Sequence, residues 1–403
     1  MKAKRTAAMA ILALAAVALP EPEDIAAPMQ QGNTAGSLIA QQQALFERLN
    51  VPEAWEVTKG DPKVLVGVIE GGFDFFHPDL KGQLIPGMYY PGGYHTEIFH
   101  TVAHGTEVAS IIGARDDNPD GMVGLAPGCR VLTASQGMIE HAVLRLRNQF
   151  VHDNPGATPA DLEAEMVKHR DQLREWGQEW SHYQVDGAAA AIRYLVDGGV
   201  RVINLSSAMT RSLCLSAEDW QNLEGAFAYA AGRDVIIVLA AGNNAAQWKD
   251  YPGNPETVIV VGATLLNDTR WEEEPPAGGA GARQGSNYGK RLTVMAPVEN
   301  LVVCMPHEPR FYSCDDGPMG PADLPFTGMH NVRGNGATSC AAPIITSLVA
   351  LIYSARPTLD ARSVVKIVQQ GCDDIGVKGY DTHTGYGRAN FGRSIKLALD
   401  WGE

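Results

Sequence analysis

This 403-residue sequence predicts a doubly wound, mostly parallel α/β sheet with helices on both faces and one helical insertion. Three observations carry that expectation. Short β-branched runs such as Val64-Leu65-Val66-Gly67-Val68-Ile69 lack polar alternation, as expected of strands covered on both faces. These runs alternate with segments of helical spacing, the pattern of a parallel sheet. Apolar residues make up 45% and charged residues 19%, a globular balance in a chain long enough for a large core.

Residues 1–18 have the pattern of a signal peptide. Lys2, Lys4 and Arg5 precede the apolar run Ala7 to Leu19, and Ala16-Val17-Ala18 is a small-x-small cleavage site. The run is short for a bilayer span and no comparable segment follows it. A secreted or periplasmic chain, off the membrane after processing, is therefore expected. Residues 19–45 are rich in Pro, Gln and Gly and read as a flexible leader, with the globular domain over 46–398.

Leu45 to Trp55 reads as a short docking helix, followed by the strand at 64–69. That strand ends at Glu70-Gly71-Gly72-Phe73-Asp74, and open α/β sheets collect their sites at such ends. In His104 to Gly113, Val108, Ile111 and Ile112 have helical spacing, and Val131-Leu132 is a further strand. Residues 138–183 interrupt the alternation. Thr158-Pro159-Ala160-Asp161 is a helix start, and Leu162, Met166, Leu173, Trp176 and Trp180 form one stripe. This helical insertion either lies on the domain surface or caps a cleft. The rhythm resumes with a helix at 188–197, a strand at 200–205, a helix at 223–231 and strands at 235–240 and 258–261. Residues 272–285 are Gly/Pro-rich and charged and read as a loop. A glycine-rich turn, Gly334-Asn335-Gly336, leads into Ala337-Thr338-Ser339-Cys340-Ala341-Ala342-Pro343 and the apolar run Ile344 to Tyr353, a buried helix. Helices at 359–370 and after Gly385-Tyr386-Gly387-Arg388 close the chain.

A net charge of −14 argues against nucleic acid or an anionic membrane as the main partner. The cysteines at 129, 214, 304, 314, 340 and 372 permit disulfides in an oxidising compartment, with Cys304 and Cys314 the best candidate pair.

A serine at a helix start has its hydroxyl at the positive end of the dipole and a backbone N–H without an intrahelical acceptor. Such a place suits a nucleophile whose target develops an oxyanion, although Thr-Ser before a helix is also ordinary capping chemistry. Upstream stretches decide between the two. Val68-Ile69-Glu70-Gly71-Gly72-Phe73-Asp74 with His77-Pro78-Asp79-Leu80, then His104-Gly105-Thr106, then Ala337-Thr338-Ser339 with Ala341-Ala342-Pro343, resemble the subtilisin-like serine peptidases in that family's acid–histidine–serine order. Further matches are Val202-Ile203-Asn204-Leu205-Ser206, Ala240-Ala241-Gly242-Asn243, Ser286-Asn287-Tyr288-Gly289 with Met295-Ala296-Pro297, and Gly385-Tyr386-Gly387.

The resemblance implies Ser339 as nucleophile, His104 as general base and acid, Glu70 as the orienting acid and Asn243 as oxyanion donor beside the Ser339 N–H. It implies substrate contacts at Ser206, Ser207, Ala208 and Gly242. Glu70 stands where the family has aspartate, with Asp74 as the nearby alternative. Glu107 replaces a second histidine, and Ala208 and Met209 replace glycines that line the cleft edge, so a narrowed first specificity pocket or a tilted strand is expected. The implied activity is a serine endopeptidase acting on a protein or peptide, as a monomer and without a required cofactor. The turn at Asp116, Asp117, Asn118 and Asp120 offers oxygen ligands for a structural calcium ion. Two other functions remain open from sequence: a pseudo-peptidase serving as a binding module, and an acyl transferase of the same fold.

Overall fold

The computed structural model describes residues 35–89, 104–117, 121–135, 170–214, 216–273, 283–299, 301–304, 311–313, 317–319, 330–332 and 336–402, with a few positions between 150 and 168. Among these, seven strands form one parallel sheet: β1 (Leu65–Glu70), β2 (Leu84–Tyr89), β3 (Arg130–Ser135), β4 (Val202–Leu205), β5 (Ile236–Ala240), β6 (Val258–Thr264) and β7 (Val294–Pro297). Their spatial order is β2-β3-β1-β4-β5-β6-β7, every neighbouring pair being parallel. The chain moves to one side of β1 for β2 and β3, then crosses to the other side for β4. The carboxyl ends of β1 and β4 therefore flank a topological switch point, where open α/β sheets leave a crevice.

Alternate residues of each strand feed two cores. On one face Val66, Val68, Val202, Val238 and Val261 pack with α3 (His104–Gly113), α6 (Thr338–Ala355), α7 (Ala361–Gly371) and α8 (Phe391–Asp400). On the other, Ile69, Ile203, Leu205, Ile237 and Val260 pack with α4 (Arg170–Asp197) and α5 (Ala217–Ala231). Both faces being covered explains the unbroken apolar runs. Helix α6 is the central pillar: Ile344, Ile345, Leu348, Val349, Leu351 and Ile352 are all fully buried. Burying each such side chain contributes about 1.5–3 kcal/mol. This helix is long and apolar enough to cross a bilayer, but its burial against the sheet makes it the core helix of the fold.

The first helix, α1 (Ala35–Arg48), starts inside the stretch that reads as a leader, and α2 (Val51–Trp55) follows it. It is tied to the domain by the Gln42 amide, which donates to Val123 O at 2.6 Å and accepts from Val123 N–H at 3.1 Å, and by the buried Leu45 and Leu49. The proposed signal peptide and most of the insertion lie outside the described residues. What is described of the insertion's end is helical and continuous with the sheet-covering helix, so that α4 runs unbroken from Arg170 to Asp197. Helix α5 begins earlier than its apolar spacing indicates, because Ser216 and Asp219 form a reciprocal capping box. Strands β2 and β7 escape the sequence pattern. Both are edge strands carrying a proline, Pro86 and Pro297, which is tolerated only where one side of the ladder needs no partner.

The expected Cys304–Cys314 pairing is not formed. Cys304 is a free thiol on β8 (Val302–Cys304), and Cys314 lies outside the described residues. Cys129, Cys214 and Cys372 are free thiols as well.

Candidate active site

Glu70 is the last residue of β1 and His104 the first of α3, and the fold brings them together: Glu70 Oε2 lies 2.9 Å from His104 Nδ1. A carboxylate accepts in such a pair, so this contact matches the tautomer with the proton on Nδ1. Glu70 is buried while the His104 side chain is about one-third exposed at 31%. The close approach depends on Gly105. A Cβ there would sit 2.0 Å from Gly72 O and 3.1 Å from Glu70 Cβ, so a residue with no side chain lets the helix end rest on the strand end. The backbone N–H of Asp74, the alternative acid, donates to Thr106 Oγ1 at 2.9 Å, and its Oδ1 accepts from Phe76 N–H at 2.9 Å.

Ser339 lies in the first turn of α6, where backbone amides have no intrahelical acceptor. Its carbonyl would normally accept from the residue four positions on, but that residue is Pro343, which has no N–H. The Ser206 hydroxyl takes the vacant acceptor, donating to Ser339 O at 2.8 Å. Ser206 accepts in turn from Asn204 Nδ2 at 2.8 Å, and Asn204 Oδ1 accepts from Thr346 Oγ1 at 3.0 Å. A buried chain of side chains thus fixes the serine's backbone to the end of β4.

Asn243 follows β5. Its Oδ1 accepts from both the N–H (3.1 Å) and the hydroxyl (2.6 Å) of Thr338, the residue before Ser339. Those donors fix which side of the amide carries the oxygen, with Nδ2 on the opposite side. Gly242 has φ +95°, and its N–H donates to Thr338 Oγ1 at 3.0 Å. A Cβ on Gly242 would lie 2.9 Å from Ala208 Cβ, so Ala208 packs directly beside this glycine. Met209, by contrast, is buried in the core beneath the sheet, after a tight turn in which its N–H donates to Ser207 O. Of the two replacements for glycine expected at the cleft edge, Ala208 is the one that packs on Gly242.

A second polar group sits behind the strand end. His77, Asp79 and Cys304 are buried with their donor atoms within 4.8 Å of one another. Asp79 N–H donates to His77 Nδ1 at 3.2 Å, and the Cys304 thiol to Asp79 Oδ2 at 3.7 Å. Burial, first, and the nearby Asp79 carboxylate push that thiol well above its ordinary pKa, so it stays protonated as a donor. These bonds pin the loop after β1 to β8. In the acidic turn, Asp116 accepts from Lys59 Nζ at 2.8 Å and Asp117 pairs with Arg115. The hydrogen bond from Arg115 holds the Asp117 carboxyl below its ordinary range. Asn118 and Asp120 are outside the described residues.

With this geometry in place, comparison with known proteins is direct. The family model described as the subtilase family matches residues 61–387. The chain belongs to the subtilase family. A thermophilic serine proteinase of Bacillus sp. (strain AK1) is 28% identical over 339 residues, covering 84% of this chain and 63% of that relative. Fervidolysin of Fervidobacterium pennivorans is 27% identical over 359 residues, covering 86% of this chain and 42% of the relative. This subtilase chain therefore spans less than two-thirds of the length of these relatives. The same fold occurs in the crystal structure of fervidolysin (TM-score 0.56, 23% identity, 87% of this chain and 45% of that one) and in that of a lanthipeptide protease (TM-score 0.59, 18% identity, 91% and 98%).

Sequence reasoning placed Asn204 and Asn287 in family-like stretches without their task of holding the site from behind, and it did not single out Thr346. The Asn204–Thr346 bond spans 142 positions, and Asn287 reaches Asn244 and Ala241 across 43 and 46.

Proposed function

We propose that the chain is a serine endopeptidase that hydrolyses peptide bonds through an acyl-enzyme on Ser339. In this reading His104 Nε2 takes the Ser339 hydroxyl proton as the oxygen attacks the substrate carbonyl. Glu70 holds the other ring nitrogen and stabilises the imidazolium that forms. Asn243 Nδ2 and the Ser339 N–H stabilise the oxyanion. The imidazolium then protonates the leaving amine, and the same nitrogen activates water to release the acyl group. Glutamate in place of the family's aspartate performs the orienting task. The observation that carries the reading is the 2.9 Å contact between Glu70 and His104 at the sheet's switch point, in a chain of this family.

The substrate is a protein or peptide, bound by a monomer along the Ser206–Ala208 edge and Gly242. Ala208 narrows the pocket beside Gly242, favouring small or slender side chains at the cleaved position. The domain spans 46–398 and acts outside the cytoplasm after loss of residues 1–18. A calcium ion at Asp116, Asp117, Asn118 and Asp120 would compete with Lys59 and Arg115 for the first two carboxylates. No step is routed through a metal.

The test is incubation of the purified chain with a diverse peptide library, with Ser339→Ala alongside. Cleavage by the native chain and none by the variant is the expected result. Equal product from both, or none from the native chain, refutes the reading, the latter favouring a binding module.

A further inference from the structure

Asn287 is fully buried, and its side chain is devoted to the loop that carries Asn243. Its Oδ1 accepts from Asn244 N–H and from Ala246 N–H, each at 3.0 Å. Its Nδ2 donates to Ala241 O at 3.0 Å, and its own N–H donates to Gly242 O at 2.8 Å. These bonds bracket Asn243 on both sides. The Asn243 carbonyl is held from the same segment, accepting from Gly285 N–H at 3.0 Å. The segment itself is anchored to the sheet: Ser286 N–H donates to Trp271 O at 2.8 Å, and Ala263 N–H on β6 donates to Ser286 Oγ at 3.0 Å. Tyr251 adds one more bond, its hydroxyl donating to Ala241 O at 2.6 Å.

The packing around this amide is equally tight. Gly242 adopts φ +95°, and a Cβ there would stand 2.5 Å from Asn287 Nδ2. Glycine at 242 thus serves two ends at once, the left-handed backbone and the room for the Asn287 amide. An asparagine suits this position because it presents an acceptor with two lone pairs and a donor from one planar group. Serine offers a shorter reach, and aspartate keeps the acceptors but loses the donor.

We infer that Asn287 is the positioning residue of the oxyanion hole: it fixes the height and orientation of the 241–246 loop, and through it the place of Asn243 Nδ2. The inference rests on the proposed role of Asn243. An oxyanion donor acts by preorganisation, so its value depends on being in place before charge develops. Loosening the loop should therefore leave substrate binding alone and slow the chemical step. Displacing a reacting group by about 1 Å can cost on the order of 100-fold in rate.

The experiment is a double-mutant cycle on the full chain, with Asn287→Ala, Asn243→Ala and the pair combined. For each protein, kcat and KM are measured on a peptide cleaved by the native chain, along with the melting temperature. Asn287→Asp is the second variant, because it keeps both acceptor bonds and serves if Asn287→Ala does not fold. The expected result is a kcat lowered roughly 10- to 100-fold in Asn287→Ala, with KM within about threefold. On the Asn243→Ala background the same change should cost less than about threefold, since the loop no longer presents a donor. Asn287→Asp should fall between the native chain and Asn287→Ala. Unchanged kcat in both variants overturns the inference. So does a loss that multiplies in full with that of Asn243→Ala, because a merely structural residue behaves that way. If Asn243→Ala itself keeps native kcat, the role of Asn243 falls and the inference with it. That outcome is visible without reference to Asn287.

Discussion

At one end of the site Glu70 reaches His104 through one carboxylate oxygen, and the two elements that carry them meet because Gly105 has no side chain. At the other end Asn243 and Ser339 are held by interlocking bonds: Thr338 to Asn243, Ser206 to Ser339 O, Asn204 and Thr346 behind Ser206, and Asn287 behind the loop. The contrast follows from the roles proposed for the two ends. A base must exchange protons with two partners in turn and sits on a partly exposed imidazole. A donor to a developing oxyanion gains from immobility, so its surroundings are over-determined. Departures from the family pattern fall at both ends, with Glu70 at the first and Ala208 beside Gly242 at the second. At the oxyanion end, a substituent on Gly242 would meet Asn287 and Ala208 at once.

The comparison can be broken first at its centre. Ser339→Ala and His104→Ala should each lower kcat by about 10⁵- to 10⁶-fold, and the double variant should be little worse than either, because the two act as a unit. Full additivity in peptide hydrolysis would show that they do not. Glu70→Gln should follow at about 10³- to 10⁴-fold in kcat, since a neutral amide neither fixes the tautomer nor stabilises the imidazolium. A loss below tenfold would move the orienting role to another carboxylate.

Glu70→Asp sharpens the point. It restores the family's residue, yet shortens the reach by about 1.5 Å, one carbon–carbon bond, in a chain whose α3 is seated for glutamate. We expect kcat to fall about 10- to 100-fold, and native activity in this variant would mean that α3 slides to meet the shorter acid. Ser206→Ala should have the smallest effect, about tenfold or less in kcat, with a stability loss of about 1–3 kcal/mol in denaturant titration for the orphaned Ser339 carbonyl. An unchanged unfolding midpoint would mean that another donor replaces the hydroxyl.

Much of this arrangement is legible in the sequence, and the illegible parts share a cause. Strands β1, β5 and β6 announce themselves because both faces are buried, so each residue between Val66 and Ile69 had to be apolar or small. The motifs around Glu70, His104 and Ser339 are local strings and can be read as such. Strands β2 and β7 lie at the edges and carry prolines, so their apolar residues are interrupted. Cys304 looks like a disulfide partner of Cys314 by spacing along the chain. Its actual partner, Asp79, is 225 positions away and appears only once α3 and β8 are packed. Asn287 lies in a family-like stretch and Thr346 in an apolar helix, but neither string says which carbonyls and amides will face them. Local chemistry is written locally, whereas the bonds that make a site rigid are chosen by tertiary packing.

The account's central claim is that Glu70, His104 and Ser339 work together as an activated nucleophile. The most direct measurement is intact-mass analysis of the chain after treatment with a fluorophosphonate, followed by peptide mapping. The account predicts one adduct, on Ser339, that forms readily in the native chain, slows by orders of magnitude in Glu70→Gln and is absent from Ser339→Ala and His104→Ala. An unlabelled native chain, or labelling that persists at the native rate when His104 is replaced, would contradict it.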